Sequence, residues 1–131
     1  MKLLGIGTDI VEVARMQQLL QRQAERAAAR ILHPLEYERF QMLAPDKQPA
    51  WLAKRFATKE ALAKALGTGI GEYAQLCDIE TRHSEQGKPE LYLHGVTQAT
   101  ADCMGVNEIA LTLADERHYA VAFVILIGSN E

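Results

Sequence analysis

The chain has 131 residues, close to the size of one domain. With 48% hydrophobic and 24% charged residues it carries enough apolar material for a core, which excludes disorder or a fibrous repeat as its main state. The formal net charge of −3 argues against general nucleic-acid binding, which needs a basic excess, and no apolar run reaches the roughly 18–20 residues of a membrane span. Asp9 interrupts the apolar start before a signal-peptide core can form, so a cytoplasmic protein with no membrane or nucleic-acid partner is expected.

In chain order, Lys2 to Val13 combines Leu3, Leu4, Ile6, Ile10, Val11 and Val13 with two glycines and predicts a buried strand. Ala14 to Leu32 lacks Gly and Pro and is rich in Gln, Ala, Arg and Leu, which predicts one helix. Pro34, suited to a first turn, opens a short second helix that ends before Pro45, and Ala44 to Pro49 reads as a loop. A long helix is predicted from Ala50 to Leu66, stopped by Gly67, Gly69 and Gly71. Leu76 to Arg82 and Glu90 to Leu93 read as strands joined by the turn Ser84 to Pro89, and Val96 to Met104 as a helix closed by Gly105. Glu108 to Ala114 and Tyr119 to Ile127 are predicted as a final strand pair turning at Asp115 to His118.

This order, β-ααα-ββ-α-ββ, predicts an α+β fold with helices packed on a mostly antiparallel sheet, one unit spanning residues 1–131. Val121 to Ile127 is apolar on both faces, so it is either a central strand covered within one chain or a strand covered by a second subunit. Cys77 and Cys103 lack metal-ligand spacing and are expected to be free.

Two carboxylates stand out. Asp9 lies inside an apolar strand, where aspartate is disfavoured, and Gly5 and Gly7 on the same strand face leave room beside it for a ligand. Its alternative is a surface aspartate that caps the following turn. Projected at ~100° per residue, Glu60 falls within the arc of Leu52, Ala53, Phe56, Ala57 and Ala63, with Lys64 one turn further on. An ionised carboxylate there needs an ion pair, for which Lys64 is the nearest candidate, or a bound cation. If Asp9 and Glu60 meet, two hard oxygen ligands suit Mg²⁺ together with substrate phosphates.

Other motifs exclude more than they assign. Gly5-Ile6-Gly7 lacks the third glycine of a dinucleotide fingerprint, and Gly67 to Gly71 lacks the Lys-Ser/Thr of a P-loop. The histidines His33, His83, His94 and His118 form no paired spacing, and no nucleophile elbow is present. Arg15, Arg22, Arg26 and Arg30 project within roughly 80° of one another, with Leu19 inside the stripe. That is either a solvated face or a surface for an acidic protein partner.

Taken together, Gly7-Thr8-Asp9-Ile10-Val11-Glu12-Val13-Ala14-Arg15 and Arg55-Phe56-Ala57-Thr58-Lys59-Glu60-Ala61, continuing through Lys64 to Ile70, resemble the holo-acyl-carrier-protein synthase family of bacterial 4′-phosphopantetheinyl transferases. The resemblance extends to Gly87-Lys88-Pro89 and the last strand pair. It implies the fold of that family, transfer of phosphopantetheine from coenzyme A to a serine of apo acyl carrier protein, a Mg²⁺ requirement, and a homotrimer with interfacial active sites. Carried onto this chain, it implies Asp9 and Glu60 as metal ligands, Lys64 as a second positive group on the phosphates, and Arg55, Gly87, Lys88 and Pro89 in the coenzyme A cleft. Glu60 is the implied base, and the stripe of Arg15, Leu19, Arg22 and Arg26 matches the family's carrier-protein docking helix. One departure is Asp115, where many members carry histidine, so no histidine role is transferred. Two other readings keep the same residues: an oligomeric module that binds acidic proteins, and a metal-dependent hydrolase of coenzyme A or a nucleotide.

Overall fold

The alanine-rich segment Gln48–Leu66 forms the longest helix, α4, because small side chains let it lie close against a sheet while Leu52, Leu62 and Leu66 fill the core. Around it, the computed structural model describes residues 1–130 as β1 (Lys2–Glu12), α1 (Val13–Gln23), α2 (Glu25–Ile31), α3 (Pro34–Met42), α4, β2 (Ile79–His83), β3 (Pro89–Leu93), α5 (Gly95–Met104), β4 (Val106–Asp115) and β5 (Tyr119–Gly128). Short 3₁₀ turns at Pro45–Lys47 and Leu76–Asp78 precede α4 and β2.

The fold is α+β. Three antiparallel strands form a sheet in the order β1-β5-β4, and β2 pairs with β3 in a separate two-stranded sheet. The last strand is therefore central. Its Ala120, Ala122, Val124 and Leu126 are buried toward α4, while Val121, Phe123, Ile125 and Ile127 on the other face remain partly exposed. On the same outer face β1 exposes Leu3, Ile6 and Ile10, so the apolar character of β5 is covered on only one side in the single chain. Among the described residues, no helix is long and apolar enough to cross a membrane.

Gly5 and Gly7 have a different purpose from the one their spacing suggests. A Cβ at Gly7 would lie 2.0 Å from the Ala61 carbonyl oxygen, and one at Gly5 2.0 Å from that of Ala65. These glycines bring β1 onto the backbone of α4, so the space beside them is filled by the helix and is not available to a ligand.

The predicted helix from Ala14 to Leu32 is interrupted. Ala24 adopts φ 49° and ψ −131°, the only positive φ outside glycine among the described residues, and ends α1 before α2 begins. The break re-aims the chain so that Ala27, Ala28 and Ile31 still reach the core. At Leu76, where a strand is expected to begin, the chain instead makes a 3₁₀ turn. The carbonyls of Leu76 and Ile79 point inward and accept hydrogen bonds from Lys59 Nζ, the first at 2.9 Å.

That lysine belongs to a buried ionic group. Lys59, Glu36 and Arg55 are 0%, 2% and 3% exposed. Lys59 Nζ donates to Glu36 Oε1 at 2.7 Å, and Arg55 Nε lies 3.5 Å from Glu36 Oε2. Glu36 also accepts from the backbone N–H groups of His33 at 3.1 Å and Thr81 at 2.9 Å. One carboxylate thus ties the start of α3 to α4 and β2, and it faces two buried cations, of which Lys59 is hydrogen-bonded while Arg55 Nε is left without a hydrogen-bond partner.

Candidate active site

Alternation along β1 puts Asp9 on the same face as Gly5 and Gly7, toward α4, and its side chain is only 16% exposed. There it meets residues from the last turns of α4. Lys64 Nζ donates to Asp9 Oδ1 at 2.9 Å and to the Thr8 carbonyl at 3.1 Å. The ion pair that Lys64 makes is thus with Asp9 and not with Glu60, and Asp9 is not a surface cap.

Glu60 is only partly buried, at the edge of the helix face that its projection places in the core; Lys59 next to it takes the fully buried position. Burial, and next the negative charge of Asp9, hold the Glu60 carboxyl above the ordinary carboxylate range, while Lys64 and Arg15 act in the opposite direction. Asp9 on β1 and Glu60 on α4 are therefore close enough to repel, and the Lys64 ammonium, bonded to Asp9, offsets part of that repulsion. Two oxygen donors with opposed negative charge suit a hard divalent cation, and Lys64 supplies a positive group beside it.

A second group gathers positive charge. Burial, then Arg55, Arg39 and Lys54, push the His83 imidazole below its ordinary value. The guanidinium of Arg55 stacks on the Trp51 ring with 4.3 Å to the centroid, and Lys54 Nζ lies 3.8 Å from Asp115 Oδ2. Asp115, the position that departs from the family pattern, is thus drawn into an ion pair at the rim of this group. The turn Ser84 to Pro89 projects from the same end of the β2–β3 hairpin, since His83 pairs with Pro89. Gly87 at φ +86° closes the turn, its N–H donating to the Ser84 carbonyl at 2.8 Å, and the Lys88 N–H donates to Ser84 Oγ at 3.1 Å.

The expected site residues therefore fall into two sets, Asp9, Glu60 and Lys64 in one, Arg55 with the Gly87-Lys88-Pro89 turn in the other. No hydrogen bond or ion pair among the described residues joins them. Arg39, Lys54 and His83 escape sequence reading because they come from three elements and share no periodicity; only the adjacency of Lys54 to Arg55 is visible in the chain. The loop after α4 is a helix stop and no phosphate cradle. Its amides are taken, Gly67 N by the Lys64 carbonyl, Thr68 N and Gly69 N by that of Ala63, and Gly71 N by that of Ala74.

The arginine stripe is shorter than projected. Arg15 and Arg22 lie on α1, but Arg26 and Arg30 follow the break at Ala24, and Arg30 is tied to Gln23 Oε1. Arg15 packs its guanidinium over Phe56 at 5.2 Å, and Leu19 is half-buried against the core. Cys77 and Cys103 are free and exposed.

This architecture recurs in known proteins. The family model of the 4′-phosphopantetheinyl transferase superfamily matches residues 5–124. A holo-(acyl-carrier-protein) synthase from Halorhodospira halophila is 50% identical over 123 residues, covering 94% of this chain and 96% of the relative. The crystal structure of the synthase from Neisseria meningitidis superposes with a TM-score of 0.90 at 36% identity, over 96% of this chain and 99% of that one. The Bacillus anthracis synthase in complex with CoA (3′,5′-ADP) gives 0.82 at 33% identity, over 97% and 98%. With its fold and these relatives in agreement, the chain belongs to the 4′-phosphopantetheinyl transferase superfamily, among the holo-acyl-carrier-protein synthases.

Proposed function

We propose that the protein transfers the 4′-phosphopantetheine arm of coenzyme A to a serine hydroxyl of apo acyl carrier protein, releasing adenosine 3′,5′-bisphosphate, with Asp9 and Glu60 holding Mg²⁺. The observation that carries this reading is the convergence of Asp9, Glu60 and Lys64 from β1 and α4, in a family whose members make this transfer. When bound, the cation would neutralise pyrophosphate oxygens and the charge that develops on the leaving phosphate.

The chain's own residues then divide the work. Lys64, half-exposed and bonded to Asp9, turns its ammonium to the donor's phosphates. Glu60, held above the ordinary carboxylate range, takes the proton of the attacking serine as the new P–O bond forms and the pyrophosphate P–O bond breaks. Arg55, Lys54, Arg39, His83 and the Gly87-Lys88-Pro89 turn receive the bisphosphate end of the donor, a role suited to three cations whose positive charge helps hold the His83 imidazole neutral. Arg15, Leu19 and Arg22, with Arg26 beyond the break, face the acidic carrier protein, and association weakens as salt screens the stripe.

The outward rows Leu3, Ile6 and Ile10 of β1 and Val121, Phe123, Ile125 and Ile127 of β5 support a homotrimer, in which neighbouring copies supply the two sets of residues to one active site. The two free cysteines suit a reducing cytoplasm.

Incubation with coenzyme A and Mg²⁺, with and without apo carrier protein, tests the reading. The transferase adds the arm to the carrier, seen as a mass increase, and leaves coenzyme A intact without it. Consumption of coenzyme A in the absence of carrier marks a hydrolase, and inertness in both arms marks a binding module.

A further inference from the structure

Beside the buried Glu36 group, and away from Asp9, Glu60 and Lys64, three side chains distant in sequence meet where α3, β2 and α5 begin. His33 is the N-cap of α3, Glu80 lies on β2, and His94 is the N-cap of α5. One ligand atom from each lies within 4.8 Å of the others. His94 Nε2 is 3.0 Å from Glu80 Oε1, and the His33 and His94 rings stack with centroids 4.5 Å apart.

The backbone that carries them is fixed from below. Glu36 accepts from the N–H groups of both His33 and Thr81, which sets the α3 cap beside the residue that follows Glu80. The His94 N–H donates to the Asp78 carbonyl at 2.9 Å, which holds the third position against the approach to β2. Lys59 and Arg55 hold Glu36 in turn, so two of the three liganding positions rest on one buried ionic group and the third on the backbone just before β2. Both imidazoles are half-exposed while Glu80 is buried, which leaves an open side for an ion to enter and for a water to complete the coordination.

We propose that His33, Glu80 and His94 form a site for a divalent transition ion of the zinc class, separate from the carboxylates of β1 and α4. Two imidazole nitrogens and one carboxylate are a donor set for such ions, with bonds of about 2.0–2.2 Å and a fourth, open position. Mg²⁺ prefers oxygen alone, so the two sites select different metals. Binding rearranges local bonds. His33 Nδ1 now accepts from the Leu35 N–H at 3.1 Å, and ligation through Nε2 moves the ring proton to Nδ1, leaving that exposed N–H to water. His94 likewise gives up its Nε2 proton. Arg82, which donates to Glu80 at 3.0 and 3.1 Å while stacked on Tyr92, is half-exposed and yields a carboxylate oxygen to the ion.

The experiment titrates Zn²⁺ into the full-length chain against a chromophoric chelator, with Mg²⁺ in large excess. One equivalent per chain is retained, His33→Ala and His94→Ala each weaken it by about tenfold or more, and Asp9→Asn leaves it unchanged. Co²⁺ in place of Zn²⁺ gives the visible absorption of a four-coordinate ion, lost in the same histidine variants. If His94→Ala loses its far-ultraviolet circular dichroism, His94→Asn takes its place. The proposal is overturned if no stoichiometric Zn²⁺ is retained, if the double histidine variant retains as much as the wild type, or if Asp9→Asn abolishes retention.

Discussion

Glu60 shows how one side chain can oppose stability at a position for which a role in the chemistry is proposed. Its carboxyl is held above the ordinary range by burial first and by Asp9 second, so in the metal-free chain the protonated form favours the fold. That contribution is complete below the ordinary carboxylate pKa and is lost as pH rises through the raised value, so at neutral pH the ionised group opposes folding. Glu60→Gln therefore raises the metal-free melting temperature at neutral pH, by roughly 1–3 °C, and flattens its dependence on pH across the acid range. The same substitution abolishes transfer to the carrier protein. A variant that melts lower than the wild type would contradict the electrostatic account, and one that turns over normally would remove Glu60 from the chemistry. Lys59, its neighbour, behaves oppositely. With Glu36 deprived of its closest cation and left to the more distant Arg55, and with the inward carbonyls of Leu76 and Ile79 losing their donor, Lys59→Met costs about 3–5 kcal/mol in urea unfolding, and adding Glu36→Gln restores part of the loss. Asp9 and Glu60 were legible in the sequence because each breaks an apolar pattern. Lys59 was not, since a projection at fixed pitch puts it beside the core arc and cannot foresee carbonyls from Leu76 and Ile79 turned inward to meet it.

At the scale of elements, strands and helices follow the apolar periodicities closely, and the departures have local causes. The break at Ala24 is invisible in composition because alanine is the best helix former and gives no stop signal. Only the need to bring α2's Ala27, Ala28 and Ile31 onto the core forces the left-handed turn there. A residue without Cβ relieves that conformation, so Ala24→Gly stabilises the chain by about 1 kcal/mol in thermal unfolding, against the usual penalty for glycine near a helix. A destabilised variant would mean that the kink carries no strain. The glycines of β1 were legible as unusual, but their reason was not. That β1 lies against α4 at backbone distance is a fact of tertiary packing, and spacing alone suggests an open space as readily as a filled one. The His33–Glu80–His94 cluster is hidden for a related reason: its members are isolated in sequence and meet only where three element ends converge.

For the molecule as a whole, the pattern of β5 announces two apolar faces, and the fold buries one of them under α4. The other is the surface on which the proposed trimer depends. Replacing Ile6 and Ile10 together by glutamate places charge on that face without touching α4 or the buried ionic group. The double variant is expected to sediment as a monomer with unchanged far-ultraviolet circular dichroism, and its transfer activity to fall to background because each site loses its neighbour. A monomer with full activity would show that one chain suffices.

That outward face also ties folding to abundance. In the proposed trimer, a protomer whose hydrophobic sheet stays wet until it meets its siblings gains stability by mass action, so melting shifts upward as the solution is concentrated and specific activity drops on dilution. How much working enzyme a cell holds then grows faster than the number of copies it makes.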